Sequence, residues 1–136
     1  MGRGGRVDLR QLKAFERKLA KLAQGDFERF CEAASKELAA RLLGKVIRRT
    51  PVDEGTLRRG WTIGQVEKNG SVYEIEVINP VEYAQYIEFG HRTSNHQGWV
   101  EGRFMMTISA DEVEQQAPAI LERKLFEMLR ESFDGD

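Results

Sequence analysis

The sequence predicts an α+β domain: an antiparallel β-hairpin-based sheet packed against a long N-terminal helix, with C-terminal helices. Three patterns predict it. Apolar residues recur at three- and four-residue steps through 27–49, the period of a helix with one buried face. Apolar and polar residues alternate along 71–78 behind an Asn69-Gly70 pair, the pattern of a strand leaving a hairpin turn. A second helical period fills 113–129. A chain of 136 residues is long enough to bury a core and suits one domain. We place that domain at 8–133, with a basic arm at 1–7 and a frayed tail at 134–136.

The arm, Met1-Gly2-Arg3-Gly4-Gly5-Arg6, is charged and glycine-rich with no apolar stretch behind it, so it does not read as a secretory signal. Residues 8–23 read as a helix, with Leu9, Leu12, Phe15, Leu19 and Leu22 on one stripe. Gly25 is expected to break that run, and Asp26 to cap the next helix. Phe27, Phe30, Cys31, Ala34, Leu38, Leu42 and Val46 form the stripe of helix 27–49. Pro51 ends it, because the residue before proline is pushed out of the α region.

A strand is expected at 57–67, carrying Leu57, Trp61, Ile63 and Val66, with a bulge or bend near Gly60 or Gly64. Along the return strand, Tyr73, Ile75 and Val77 are expected to face inward and Glu74 and Glu76 outward. Asn79-Pro80 closes that strand. Residues 81–90 read as a short helix stopped by Gly90, with Phe89 anchoring it to the sheet. Residues 91–98 have no period and read as a loop, followed by a short strand or anchor at Trp99 and Val100. Another helical turn is expected at 102–108. Ser109-Ala110-Asp111-Glu112 reads as a capping box that starts the final helix, and Pro118 as a kink or a split in it.

Charge and composition exclude several function classes. The 21 basic and 22 acidic residues nearly cancel, for a formal net charge of -1. Wholesale nucleic-acid wrapping needs a basic excess. No run approaches the ~20 apolar residues of a membrane span. A single cysteine, Cys31, forbids an internal disulfide and fits a reducing compartment; its place in the apolar stripe marks an inert thiol. The signs are uneven along the chain: Arg41, Lys45, Arg48, Arg49, Arg58 and Arg59 weight the first half, and Asp111, Glu112, Glu114, Glu122, Glu127 and Glu131 the end. One copy can therefore meet another plus to minus, or each can stay a dipolar monomer with solvated charged faces.

No catalytic set assembles. Glu88, His91 and His96 are metal-ligand types, but their spacing lacks the i, i+4 pairing that puts two ligands on one helix face. Asp53, Glu54 and Glu88 are carboxylates without a convergent partner; Asp53 is better read as a turn residue paired with Arg58 or Arg59. Phosphate loops and the metalloprotease pattern are missing. Arg48, Arg49, Arg58 and Arg59, beside Trp61, fit a phosphate-facing patch and equally an inter-subunit salt-bridge patch or a charged rim; the first makes a small nucleic-acid-binding regulator the second reading.

Two stretches carry more. Thr50-Pro51-Val52-Asp53-Glu54-Gly55-Thr56-Leu57-Arg58 and Tyr83-Ala84-Gln85-Tyr86-Ile87-Glu88-Phe89-Gly90-His91-Arg92 together resemble the minor tail component and head–tail joining (tail completion) family of long-tailed bacteriophages and prophage-derived tail particles. That family shows a helix ending in T-P-V-D-T-G-x-L-R, a hairpin, then Y-A-x-x-V-E-F-G-T/H-R, a loop and C-terminal helices. The match covers about 27–131. It departs at Glu54, where threonine is usual, and the 91–100 loop is particular to this chain. The resemblance implies a non-enzymatic structural subunit with no cofactor. It implies a homo-oligomeric ring, typically of six copies, at the head–tail junction or tail-tube end. The implied partners are the tail tube or terminator and the connector or adaptor, with no membrane and no direct nucleic-acid contact. The implied location is a virion or tail-like particle assembled in the bacterial cytoplasm. Asp53, Arg58, Arg59, Glu88, His91 and Arg92 lie in the two signature stretches and are the interface candidates. Trp61, Tyr83, Tyr86 and Phe89 are expected in the core, packing the hairpin against helix 27–49.

Overall fold

Two long helices run side by side, and the short helices and strands of 50–104 connect them. The computed structural model of the protein describes residues 24–134. The expected arm, the helix at 8–23 and the last two residues lie outside the described residues. In chain order the elements are α1 (Gln24–Arg49), α2 (Gly55–Gly60), β1 (Thr62–Ile63), β2 (Glu67–Asn69), β3 (Val72–Glu74), β4 (Val77–Ile78), α3 (Ala84–Phe89), β5 (Gly90–Arg92), β6 (Trp99–Glu101) and α4 (Met105–Asp134). The mixed α+β class is as the periodicities predict.

Gly25 and Asp26 lie inside α1 as described from Gln24, so Gly25 does not break the helix and Asp26 does not precede it as a cap. α4 packs antiparallel to α1. Arg49 and Lys45 meet Glu112, and further along Glu37 meets Lys124. The core lies along this pair: Ala34, Ala39 and Val46 from α1, and Met105, Ile120, Leu125 and Leu129 from α4, are buried.

Ser109 does not start a helix. It is fully buried four residues inside α4, which begins at Met105. Glu112 does not reach back to it as a capping box requires, but pairs with α1. Pro118 lies within α4 and is exposed, and the helix continues through it as one element.

The expected strand at 57–67 is the largest departure. Leu57 sits in α2, with 0% of its surface exposed, and strand pairing starts only at Thr62. The Leu57–Trp61 spacing of four is a helical step, and that is how it is used. The hairpin is interrupted: β1 pairs with β4 and β2 with β3, both antiparallel. Between them Gly64 N–H donates to the Glu76 carbonyl at 2.8 Å, so a break does fall at Gly64. The turn lies one residue later than expected. Asn69 pairs with Val72, leaving Gly70 and Ser71 as the loop, and only Gly70 has positive φ, at 62°. Glycine at the first central position is the pattern of a type II′ turn. The alternation holds, with Tyr73, Ile75 and Val77 partly buried and Glu74 and Glu76 exposed.

The 91–98 stretch is shorter as a loop than expected. His91 and Arg92 belong to β5, which pairs antiparallel with β6 at Trp99–Glu101. The loop proper is held by Thr93 and Asn95, whose side chains bond each other at 2.6 Å and accept from the Gly98 and Gln97 amides.

Candidate functional site

Both signature stretches fold as corners, and each corner has an inner and an outer set of side chains. At the first, α1 ends on Thr50. The Thr50 hydroxyl is buried; it donates to the Val46 carbonyl at 2.6 Å and accepts from Trp61 Nε1–H at 2.7 Å. Arg58 Nε–H donates to the Ile47 carbonyl at 3.1 Å, satisfying one of the acceptors that a helix C-terminus leaves open. Asn79 ties the hairpin's end to the same corner. Its Nδ2–H donates to the Leu57 carbonyl at 2.7 Å and its Oδ1 accepts from Val81 N–H at 3.1 Å. A Cβ at Gly60 would come within 2.5 Å of that Oδ1, so the approach requires glycine. Val52, Asp53 and Arg59 are left outside. Asp53 does not pair with Arg58 or Arg59 among the described residues, contrary to the expectation.

The second corner turns on Glu88. It is 7% exposed, and its carboxylate closes the start of α4, which is 18 residues on in sequence. Oε1 accepts from Met106 N–H at 2.9 Å; Oε2 accepts from Thr107 N–H and Thr107 Oγ1–H, both at 2.8 Å. The backbone doubles the link, with Arg103 N–H on the Ile87 carbonyl and Phe104 N–H on the Glu88 carbonyl. A carboxylate there satisfies orphan amides and lies at the positive end of the helix dipole. Gly90 sits at φ 89°, where a Cβ would come within 2.5 Å of the Val100 carbonyl oxygen. Phe104, the residue before α4, also has positive φ, at 49°. Glu88 therefore faces its own chain rather than a neighbour. The carboxylate that a metal reading requires is bonded to α4, and among the described residues no group of three or more His, Cys, Asp or Glu is placed to hold a metal ion.

The aromatic residues of this corner point the other way. Tyr86 is 60%, Phe89 59% and Trp99 57% exposed; Tyr83, Val100, Phe104 and Ile108 join them on the surface. Of the expected core aromatics only Trp61 is held inward, and Phe89 does not anchor α3 to the sheet. Phe89 and Phe104 stack edge to face with centroids 6.3 Å apart, and Trp99 lies against the Gly90 backbone. Tyr86 packs on His91 at 5.7 Å, and His91 Nδ1 is buried without a hydrogen-bond partner. Arg92 and Arg103 are exposed beside them. Large exposed apolar patches on a protein surface mark sites that meet a partner.

A family model described as "Bacteriophage HK97-gp10, putative tail-component" matches residues 13–90, which takes in both corners up to Gly90. The chain belongs to the HK97-gp10-like phage tail-component family. No curated protein and no solved structure matches the chain. In this family member, most of the β5–β6 hairpin and all of α4 lie beyond the matched range. Glu88 thus joins the matched part to the helix that follows it.

The charges expected to face other copies are partly engaged within the chain. Arg49 grips Glu112 with two bonds, at 2.9 and 2.6 Å, and also reaches Ser109 Oγ at 3.1 Å; Lys45 adds a third bond to Glu112 at 3.0 Å. The Arg49 hydrogen bonds, then those of Lys45, hold the Glu112 carboxyl at about 2, well below its ordinary value. Glu37 is lowered by Lys124 and Arg41. With Arg49 on Glu112 and Arg58 on Ile47, the four-arginine patch does not converge: only Arg48 and Arg59 are exposed. Cys31 is partly buried, and burial raises its thiol. No described helix is long and apolar enough to cross a membrane.

Proposed function

We propose that the chain is a non-enzymatic structural subunit that forms a ring at the head–tail junction or tail-tube end and completes tail assembly. One observation carries the reading. The signature residues use their polar groups to lock two corners, with Leu57 buried beneath, and four apolar members of the same motifs, Val52, Tyr83, Tyr86 and Phe89, are left on the surface. A motif that builds a rigid mount for outward aromatic groups suits assembly, not catalysis.

The ring is of identical copies, six by the resemblance, and its other neighbours are the tube or terminator on one side and the connector or adaptor on the other. Of the interface candidates, Asp53, Arg59 and Arg92 are exposed and suit contacts, Arg58 and His91 are partly buried, and Glu88 positions α4. Copies assemble in the host cytoplasm and reside in the particle.

Light scattering over a range of protein and salt concentration tests the ring. Mass rising from 15.6 kDa toward a fixed multiple supports it. A monomer at all concentrations, which also fails to bind tail-tube or connector proteins, contradicts it.

A further inference from the structure

Two unlike surface patches remain unmatched within the chain. The first is the aromatic face already described, bordered by Arg92 and Arg103. The second lies where the hairpin crosses α1. A groove of about 440 Å³ runs there, floored by Leu38, Leu42, Ile75, Val77 and Val113 and edged by Glu74 and Glu76. Glu67 faces Glu74 directly across the β2–β3 pair, an arrangement that is destabilising without a counter-charge. These three carboxylates are exposed and make no ion pair among the described residues. The first face therefore presents exposed aromatic rings with basic neighbours, and the second an apolar groove with an acidic rim. Arg92 pairs with Trp99, and Glu101 shares the Trp99 side of β6, so that side of the hairpin carries both signs, with Arg103 exposed just beyond β6.

We propose that these two patches bind each other between copies: the β5–β6 aromatic face of one protomer seats in the α1–hairpin groove of the next, with Arg92 and Arg103 against Glu74 and Glu76. This rests on the ring reading and names the surfaces that make it. A protomer cannot close the contact on itself. Ile108 of the aromatic face and Val113 of the groove are five residues apart on α4, about 140° around a helix of 3.6 residues per turn. The contact is head-to-tail, the kind that closes into a ring when its rotation allows and otherwise extends as a filament. Burial of Phe89 and Trp99 supplies the attraction, and opposite charge at the rim sets the orientation and makes association sensitive to salt.

The test uses two full-length variants, one blocked at each surface. Glu74→Lys/Glu76→Lys reverses the groove rim, and Phe89→Asp/Trp99→Asp places charge on the aromatic face. All four positions are exposed, and circular dichroism checks that both variants fold. The wild type should self-associate. Each variant alone should stay at 15.6 kDa, and an equal mixture should give a species of twice that mass and no larger, because each variant still has the one surface the other lacks. Either variant assembling alone, or a mixture that stays monomeric beside an associating wild type, overturns the pairing and leaves the ring reading standing. A wild type that is monomeric at every protein and salt concentration overturns the pairing, and one that also fails to bind tail-tube and connector proteins overturns the ring reading with it.

Discussion

Replacing Glu88 with alanine removes the acceptor for three donors at once: the Met106 and Thr107 amides and the Thr107 hydroxyl. The side chain is buried, so water does not readily replace it. Loss of a helix cap costs about 1 kcal/mol, within a range of roughly 0.5–2. Here one carboxylate serves two amides, and its charge at the helix start adds up to ~2 kcal/mol in a partly buried site. The expected loss is therefore about 3 kcal/mol. A domain of this size shifts its midpoint by roughly 4 °C per kcal/mol, so Tm should fall by about 12 °C. Glu88→Gln keeps one acceptor and the shape, and should lose roughly half as much. Urea denaturation followed by circular dichroism measures both. A Glu88→Ala variant within about 0.5 kcal/mol of the parent, the level of an ordinary surface change, would refute the view that this carboxylate mounts α4.

The neighbouring Phe89→Ala should behave oppositely, with stability changed by less than about 1 kcal/mol because the ring is mostly exposed, but with self-association weakened in light scattering. Acid should release the α1–α4 clamp. The folded-state carboxyl of Glu112 is depressed to about 2, so its contribution is fully present above the ordinary value near 4.5 and disappears as pH falls from there to about 2; the stability gap between parent and Glu112→Gln should shrink over that window in urea titrations. Gly90→Ala should destabilise by roughly 3 kcal/mol, since φ is 89° and the added Cβ meets main-chain atoms that cannot move aside, as thermal unfolding would report. Thr50→Val strips the buried hydroxyl that accepts from Trp61; an unpaired indole N–H costs about 1–3 kcal/mol, and Trp61 fluorescence should report the change in its surroundings.

Local pattern located what local pattern controls. Helix 27–49 is long and strongly periodic, so α1 and its end at Arg49 are legible in the sequence. The inward set Tyr73, Ile75 and Val77 followed from a period of two that the sheet obeys. The failures share a cause. Ser109 and Glu112 have the spacing of a capping box, but the helix start is set by Glu88, a contact 18 residues away that no short motif encodes; α4 then begins earlier and Glu112 is taken up by Arg49. The alternating region after Leu57 predicts a strand there, although the spacing of four to Trp61 fits the short helix that Leu57 occupies. Phe89 and Glu88 exchanged their expected roles for a related reason. Residue type favours a buried phenylalanine and an exposed glutamate, yet the first turn of α4 supplies buried amides that need an acceptor, and the aromatic side chains have no protein above them. An interior carboxylate beside exposed rings is the inversion to look for at an assembly surface.

The measurement that bears most directly on the central proposal is the position and copy number of this chain in purified tail particles. An antibody to an epitope tag fused at the C-terminus, seen by negative-stain electron microscopy, locates it; quantitative mass spectrometry of the same particles counts it. The account predicts label at one end of the tube and a small fixed number of copies, about six by the family resemblance. Label spread along the tube, or particles that are complete without this chain, would contradict it.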